Sequence, residues 1–406
     1  MRLSDRTRRG RALARAASLG VLLATALPAA ACSEACCPPE MTFAALPGCL
    51  EQGGELALAV GARANQPAPV LPADVQTLLQ RTAYEGDRIS VFRVDGDPKP
   101  TGDAKFGSGA QNTVRWHKDL ENFQLAIGKA ISAVKAEQPE ANPLEAVARA
   151  SEAAAGQGTV VLIDSGLQTL APLDFRQDGM IDADPVELVD FLEKEGQLPK
   201  LEGKALVLVG IGTTAEPQRS LDTARRDNLL AIWREIGERS GARCVESYVT
   251  AQQTAAPDGL PAVGAVTIPP PPNPPKGCDS VSIRDAGRVK FRPNKAEFVS
   301  ETDAAAELKA YADTALAKGY QVKLTGTTSS AGENRNTENK RQLSRDRAEA
   351  VKRILVGHGV AADAVTTFGA GMDFPGFVAD RDGSGDLVPQ LAARNRQVIL
   401  EFTGCA

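Results

Sequence analysis

At 406 residues with 43% hydrophobic content, the chain is long enough for two or three domains and can give each a core, which excludes a disordered protein. Its formal charge is −5, and residues 1–31 hold six arginines against one aspartate, so without them the chain carries −10. No basic cluster follows residue 31, which excludes nucleic acid, whose binding requires cations that neutralise phosphates.

Residues 1–31 read as a signal peptide: an arginine-bearing start, then the apolar run "AASLGVLLATALPAAA" ending at Cys32. No later run reaches the roughly 18 apolar residues of a spanning helix. The mature protein is therefore expected to be exported, on the extracytoplasmic side. "LPAAAC" resembles a bacterial lipobox, which implies cleavage before Cys32 and lipid on its thiol, anchoring the chain to a membrane; simple secretion after Ala30 or Ala31 stays open.

Residues 32–50 form a cysteine-rich segment. The chain has seven cysteines, and if Cys32 carries lipid the other six are an even set suited to disulfides in an oxidising compartment. Adjacent Cys36 and Cys37 do not make a zinc knuckle, and no second pair answers them. Six cysteines allow 15 pairings; the one singled out is Cys278 with Cys405, which bracket the last domain.

From 51 to 255, strand and helix patterns alternate. "ELALAVGARA" and "RISVFRVDG" flank the helical "PADVQTLLQRTAYEG"; a helix over Leu120 to Ala136 and other helical stretches separate "GTVVLID", "GKALVLVGIG" and "GARCVESYV". Near-continuous apolar strands between amphipathic helices predict an α/β fold, a doubly wound parallel sheet covered on both faces. The order and character of these elements resemble von Willebrand factor A-like domains. The resemblance implies a divalent cation held by a DxSxS turn after the first strand. Here that strand runs into "GARANQP", and only Asp164 of "LIDSG" has a counterpart, so the site is expected to be degenerate, with no metal.

"TIPPPPNPPKG" lies in a proline-rich linker, 256–277, expected to be a stiff extended spacer. Residues 278–406 predict a smaller α+β domain: strand "RVKFRP", helix Thr302 to Lys318 capped by Ser300, strand "YQVKLTG", helix Ser344 to Gly357, and strands "AVTTFGAG" and "RQVILEF".

Few residues suggest catalysis. His117 and His358 lie in different domains, and His358 adjoins a helix stop, so no Ser/His/Asp triad is indicated. "LVGIGTT" lacks the third glycine and lysine of a nucleotide loop. "DFRQDGMIDADP" and "DRDGSGD" lack the donors that close a calcium loop, which leaves acidic surface turns. No enzyme activity and no cofactor are predicted.

"VKFRPNKAEF", "LTGTTSSAG", "LSRDRAEAVKRIL", "FGAGMDFP" and "ARNRQVILEF" together resemble, in order and spacing, the OmpA C-terminal domain family. The resemblance implies a domain that grips the diaminopimelate of peptidoglycan without covalent chemistry. Arg347 matches the arginine that pairs with the ligand carboxylate, a task suited to a permanently charged, bidentate guanidinium. Ser344 is expected to cap the helix carrying Arg347, leaving first-turn amides to favour an anion. Asn395 and Arg396 match the family's Asn-Arg pair. Where the family reads GHTD, Gly326, Thr327, Thr328 and Ser329 stand here, so Ser329 replaces the aspartate that receives the ligand's ammonium. That exchange loses a charge-assisted bond of about 1.5–3 kcal/mol, for which Glu333 or Glu338 is the candidate substitute. The sequence thus predicts a non-enzymatic envelope lipoprotein that binds the diaminopimelate-type stem peptide of peptidoglycan; the alternative is an adaptor or sensor that contacts envelope proteins, with a non-functional pocket.

Overall fold

Six strands of the first half pair because their backbones need partners and their side chains leave water on both faces. In the computed structural model, which describes residues 39–249, 256, 258–270, 272–332 and 337–404, β1 (Leu56–Gly61) is followed by α1 (Ala73–Glu85), β2 (Arg88–Val94), β3 (Lys99–Lys105), α2 (Thr113–Ser132), α3 (Pro143–Ala153), β4 (Thr159–Ile163), α4 (Pro185–Lys194), β5 (Ala205–Val209), α5 (Thr223–Arg239) and β6 (Cys244–Tyr248). The sheet order is β3-β2-β1-β4-β5-β6. All neighbours are parallel except β3, which runs antiparallel to β2 at the edge.

Alternation along each strand divides the core. Leu56, Leu58 and Val60 of β1 pack with Val75 and Leu79 of α1 and Leu120 and Ile127 of α2. Ala57 and Ala59 face the opposite side, with Val147 of α3, Leu188 of α4 and Trp233 of α5. This is the doubly covered sheet expected from near-continuous apolar strands. Cys49 and Cys244 form a disulfide that ties the segment before β1 to β6.

At the carboxyl ends of β1 and β4, where the strand order reverses, an arginine fills the centre. Arg63 Nη2 lies 2.8 Å from Asp164 Oδ2, and both side chains are fully buried. Arg63 Nη1 donates to the Val94 carbonyl, and Asp164 Oδ1 accepts from the Gly166 amide. The carboxylate singled out in "LIDSG" thus has a guanidinium as its counter-ion. Among the described residues, no group of three or more His, Cys, Asp or Glu side chains is placed to hold a metal.

The second sheet has the order β7-β10-β8-β9, from β7 (Ser280–Arg284), β8 (Gln321–Thr327), β9 (Val365–Gly371) and β10 (Gln397–Thr403), with α6 (Glu301–Lys318), α7 (Thr337–Gly357) and α8 (Pro389–Asn395) between them. Leu324, Leu400 and Phe402 pack beneath Leu308 and Tyr311 of α6 and Val351 and Leu355 of α7. The Ser300 hydroxyl accepts from the Asp303 amide and caps α6, as expected.

Three local expectations are corrected. The "RVKFRP" stretch is a 3-10 turn over Gly287–Val289 followed by a single Phe291–Phe298 bridge, and the edge strand is β7 instead. Helix α7 begins at Thr337, so Ser344 lies inside it and caps nothing. Its hydroxyl donates to the Arg341 carbonyl and accepts from the Gly371 amide. The helix lies very close to β8 and β9 at this point: a Cβ on Gly326 would stand 1.8 Å from the Ser344 carbonyl oxygen, and one on Gly369 would stand 2.1 Å from that of Arg341. Finally, the proline-rich segment is no free spacer. Val266 and Ile268 enter the core of the first sheet, Gln218 bonds the Val266 backbone in both directions, and the Tyr311 hydroxyl donates to the Pro272 carbonyl.

Of the cysteines expected to pair across the last domain, Cys278 is disulfide-bonded; Cys405, like Cys32 and the signal segment, lies outside the described residues. Among the described residues, no helix is long and apolar enough to cross a membrane.

Removing one partner of a fully buried ion pair leaves an uncompensated charge, at a cost of about 3–5 kcal/mol. Asp164→Ala is expected to destabilise the protein by that order in urea unfolding, and the double substitution Arg63→Met with Asp164→Leu to regain most of the loss. A single Asp164→Ala variant as stable as the wild type would contradict this account.

Candidate functional site

Thr328, Ser329, Arg347 and Arg396, four of the residues singled out by the sequence, line a cavity of about 370 Å³ that lies between the two sheets. Its C-terminal wall holds Thr328 and Ser329 after β8, Lys340 and Arg347 on α7, Lys290 and Phe291 after the 3-10 turn, and Arg396 before β10. The opposite wall is the start of α4, with Asp184, Glu187 and Asp190. Asp184 caps that helix by accepting from the Val186 and Glu187 amides.

Arg347 is 5% exposed. Its Nη1 lies 2.9 Å from Asp285 Oδ2, its Nε donates to the Lys295 carbonyl, and its guanidinium stands 5.0 Å from the centre of the Phe291 ring. Burial pulls its pKa below the ordinary arginine value, and Asp285 works in the opposite direction. Asp285 also accepts from the Phe291 amide, so one carboxylate fixes both the arginine and the turn. This ion pair within the domain already neutralises the guanidinium that the family resemblance assigns to a ligand.

Arg396 is engaged as well, by a residue of the first sheet's helices. Its Nη2 lies 2.6 and 2.7 Å from the two oxygens of Glu187. Burial pushes the Glu187 carboxyl up against the opposing effect of Arg396. Around this pair, Asp178 meets Arg284 at 2.5 Å and Arg394 at 3.3 Å, Lys194 meets Asp386 at 2.5 Å, and Gln390 donates to Gln177.

Asn395 is fully buried and does not line the cavity. Its amide donates to the Val378 carbonyl and to Asp380 Oδ2 and accepts from the Val378 amide, so it positions the loop after β9. Asp380 in turn accepts from the Ser330 amide. The acidic turns therefore hold the fold together: Asp380 pins the 327–331 loop, Asp182 pairs with Arg225, and Asp174 with Arg176. Glu338 is exposed at the start of α7 and does not line the cavity, while Glu333 lies outside the described residues.

The two lysines differ from the arginines. Lys340 Nζ donates to the carbonyls of Ser329 and Ala331 at 3.0 and 2.7 Å, and Lys290 Nζ donates to Asn228 Oδ1. Burial pulls both below the ordinary lysine value. Thr328 is 4% exposed, and its hydroxyl has no hydrogen-bond partner. Asp285, Glu187 and Lys290 were not marked as site residues by the sequence, because no motif signals a charge partner from another part of the fold.

Residues 290–382 match the OmpA family model. No curated protein matches the chain in sequence. Among solved structures, the chain is similar to a MotB-like protein from Desulfovibrio vulgaris at 20% identity, covering 30% of this chain and 73% of that one, with a TM-score of 0.24. It is similar to the peptidoglycan-associated lipoprotein from Burkholderia pseudomallei at 22% identity, covering 29% and 94%, with a TM-score of 0.22. A cell wall anchor of the T6SS from Pseudomonas aeruginosa shares 25% identity over 30% and 80%, with a TM-score of 0.24. The segment from Lys290 to Asp382, which carries the cavity's Thr328, Ser329, Lys340 and Arg347, is an OmpA family domain.

Proposed function

We propose that this protein is a non-enzymatic envelope lipoprotein that associates non-covalently with peptidoglycan through its OmpA-like domain. The observation that carries the reading is a coincidence of two independent markers. The segment that matches the OmpA family model also walls the cavity, and four residues named by the family resemblance, Thr328, Ser329, Arg347 and Arg396, line it. In this reading lipid at Cys32 holds the chain to a membrane, a von Willebrand A-like domain offers a surface to envelope partners, and the cavity takes the diaminopimelate-type stem peptide. The work is tethering, which needs shape and charge but no nucleophile.

A second reading, an envelope adaptor or sensor with a non-functional pocket, draws support from the ion pairs that already occupy Arg347 and Arg396. Sedimentation separates the two. The full mature chain is expected to pellet with diaminopimelate-type sacculi and to be released by excess soluble stem tripeptide; protein that stays wholly in the supernatant would favour the adaptor.

Lipidation has its own test. Growth with a clickable palmitate analogue is expected to label the wild type and not Cys32→Ser, whereas equal labelling of both would remove Cys32 as the anchor.

Arg347→Ala must be read with stability in hand. It strands Asp285, itself buried, and is expected to lower unfolding free energy by about 3–5 kcal/mol. Arg347→Met combined with Asp285→Leu should recover much of that in the same urea titration, and a variant Arg347→Ala of unchanged midpoint would show that the pair contributes no stability.

A further inference from the structure

The charges lining the cavity can be accounted for one by one. Four lining carboxylates are each held by an arginine, Asp182 by Arg225, Glu187 by Arg396, Asp190 by Arg239 and Asp285 by Arg347, whereas Asp184 accepts from the α4 amides and has no cationic partner among the described residues. Both lining guanidiniums, of Arg347 and Arg396, are thereby neutralised. Among the described residues, the lining cations without a carboxylate partner are Lys340 and Lys290, whose hydrogen bonds there go to neutral oxygens.

A half-buried ammonium facing carbonyls has lost part of its hydration without gaining a counter-ion, and the arrival of an anion offsets that loss. Lys340 has three N–H donors and uses two on the Ser329 and Ala331 carbonyls, which leaves one. The unpartnered Thr328 hydroxyl belongs to the same loop. A cavity of about 370 Å³ has room for the end of an amino-acid chain, not for a folded partner.

We propose that the cavity binds the carboxylate of an amino-acid end group at Lys340, with Thr328 as a second donor, and that Asp184 at the start of α4 receives the ammonium beside that carboxylate. The anion-recognising cation of this chain is then a lysine on α7, one turn or more before Arg347, and the acid missing at Ser329 is supplied by the other half of the protein. Arg347 acts as a positioning residue that fixes Phe291 and the turn. This rests on the peptidoglycan reading for the source of the ligand; a free peptide carries the same chemistry.

The test is calorimetric titration of the full mature chain with the stem tripeptide ending in diaminopimelate, and with the same tripeptide amidated at the free-end carboxylate, alongside sedimentation with sacculi. Lys340→Met is expected to weaken tripeptide binding tenfold or more, as loss of a hydrogen bond to a charged group implies, and Lys340→Arg to preserve most of it. Amidation should weaken the wild type about as much and cost Lys340→Met nothing further, since both changes remove the same contact. Folded Lys340→Met that binds the tripeptide within twofold of wild type, or that still loses affinity on amidation, overturns the assignment. Wild type that binds tripeptide but not sacculi keeps the carboxylate site and overturns the wall reading; wild type that binds sacculi with no effect of Lys340→Met does the reverse. Wild type that binds neither overturns both.

Discussion

The ion pair between Arg396 and Glu187 joins residues 209 positions apart and sits where the two sheets meet. A guanidinium withdrawn from water needs a carboxylate, and here the carboxylate comes from a helix of the other sheet. The pair ties the start of α4, one wall of the cavity, to the residue before β10, the other wall. The exposed pairs around it, such as Lys194 with Asp386, contribute little energy singly. Their value is geometric, because several of them together permit one docking angle.

The same chemistry closes the first sheet and leaves the second open. At the strand-order reversal Arg63 and Asp164 meet in full burial. A fixed side-chain cation is bonded to the chain and needs no entry path, so it neutralises Asp164 whenever this end of the sheet is folded. In the second sheet the two arginines are likewise paired, yet a cavity remains beside two lysines that have no carboxylate partner among the described residues. Chemistry that awaits a ligand is therefore concentrated at the interface.

Much of the architecture was legible because hydrophobic period reports burial directly. β1, β4 and β5 are buried along their whole length and read as apolar runs. Polar β3 and β7 were missed: each lies at a sheet edge, held by backbone bonds that any side chain permits. "RVKFRP" alternates like a strand, but the Asp285 carboxylate takes the Phe291 amide and folds it into a turn. The start of α7 was placed too late because Ser344 looks like a cap, whereas it is the point where α7 meets Gly326 and Gly369. In the site, four residues named by the motif, Arg347, Thr328, Ser329 and Arg396, line one cavity. What the motif could not show was that both arginines already have partners, since Asp285 and Glu187 become neighbours only through the fold.

Exchanging an aspartate for Ser329 changes more than one hydrogen bond. In a self-contained pocket, the acid that receives an ammonium is present whenever the domain is folded. Here the nearest acids on the far wall belong to α4, so their presence depends on the docking that Glu187 and Arg396 secure. The cost of bringing Lys340 out of water is likewise incurred by the docked arrangement, because the cavity exists between the sheets and not within either. Coupling follows from these two facts: a ligand that meets both walls binds the docked form preferentially, and by linkage it must favour docking by the same factor. On the proposed ligand site, the interface and the pocket form one thermodynamic unit, in which anything that draws the first half away from the second also weakens ligand binding.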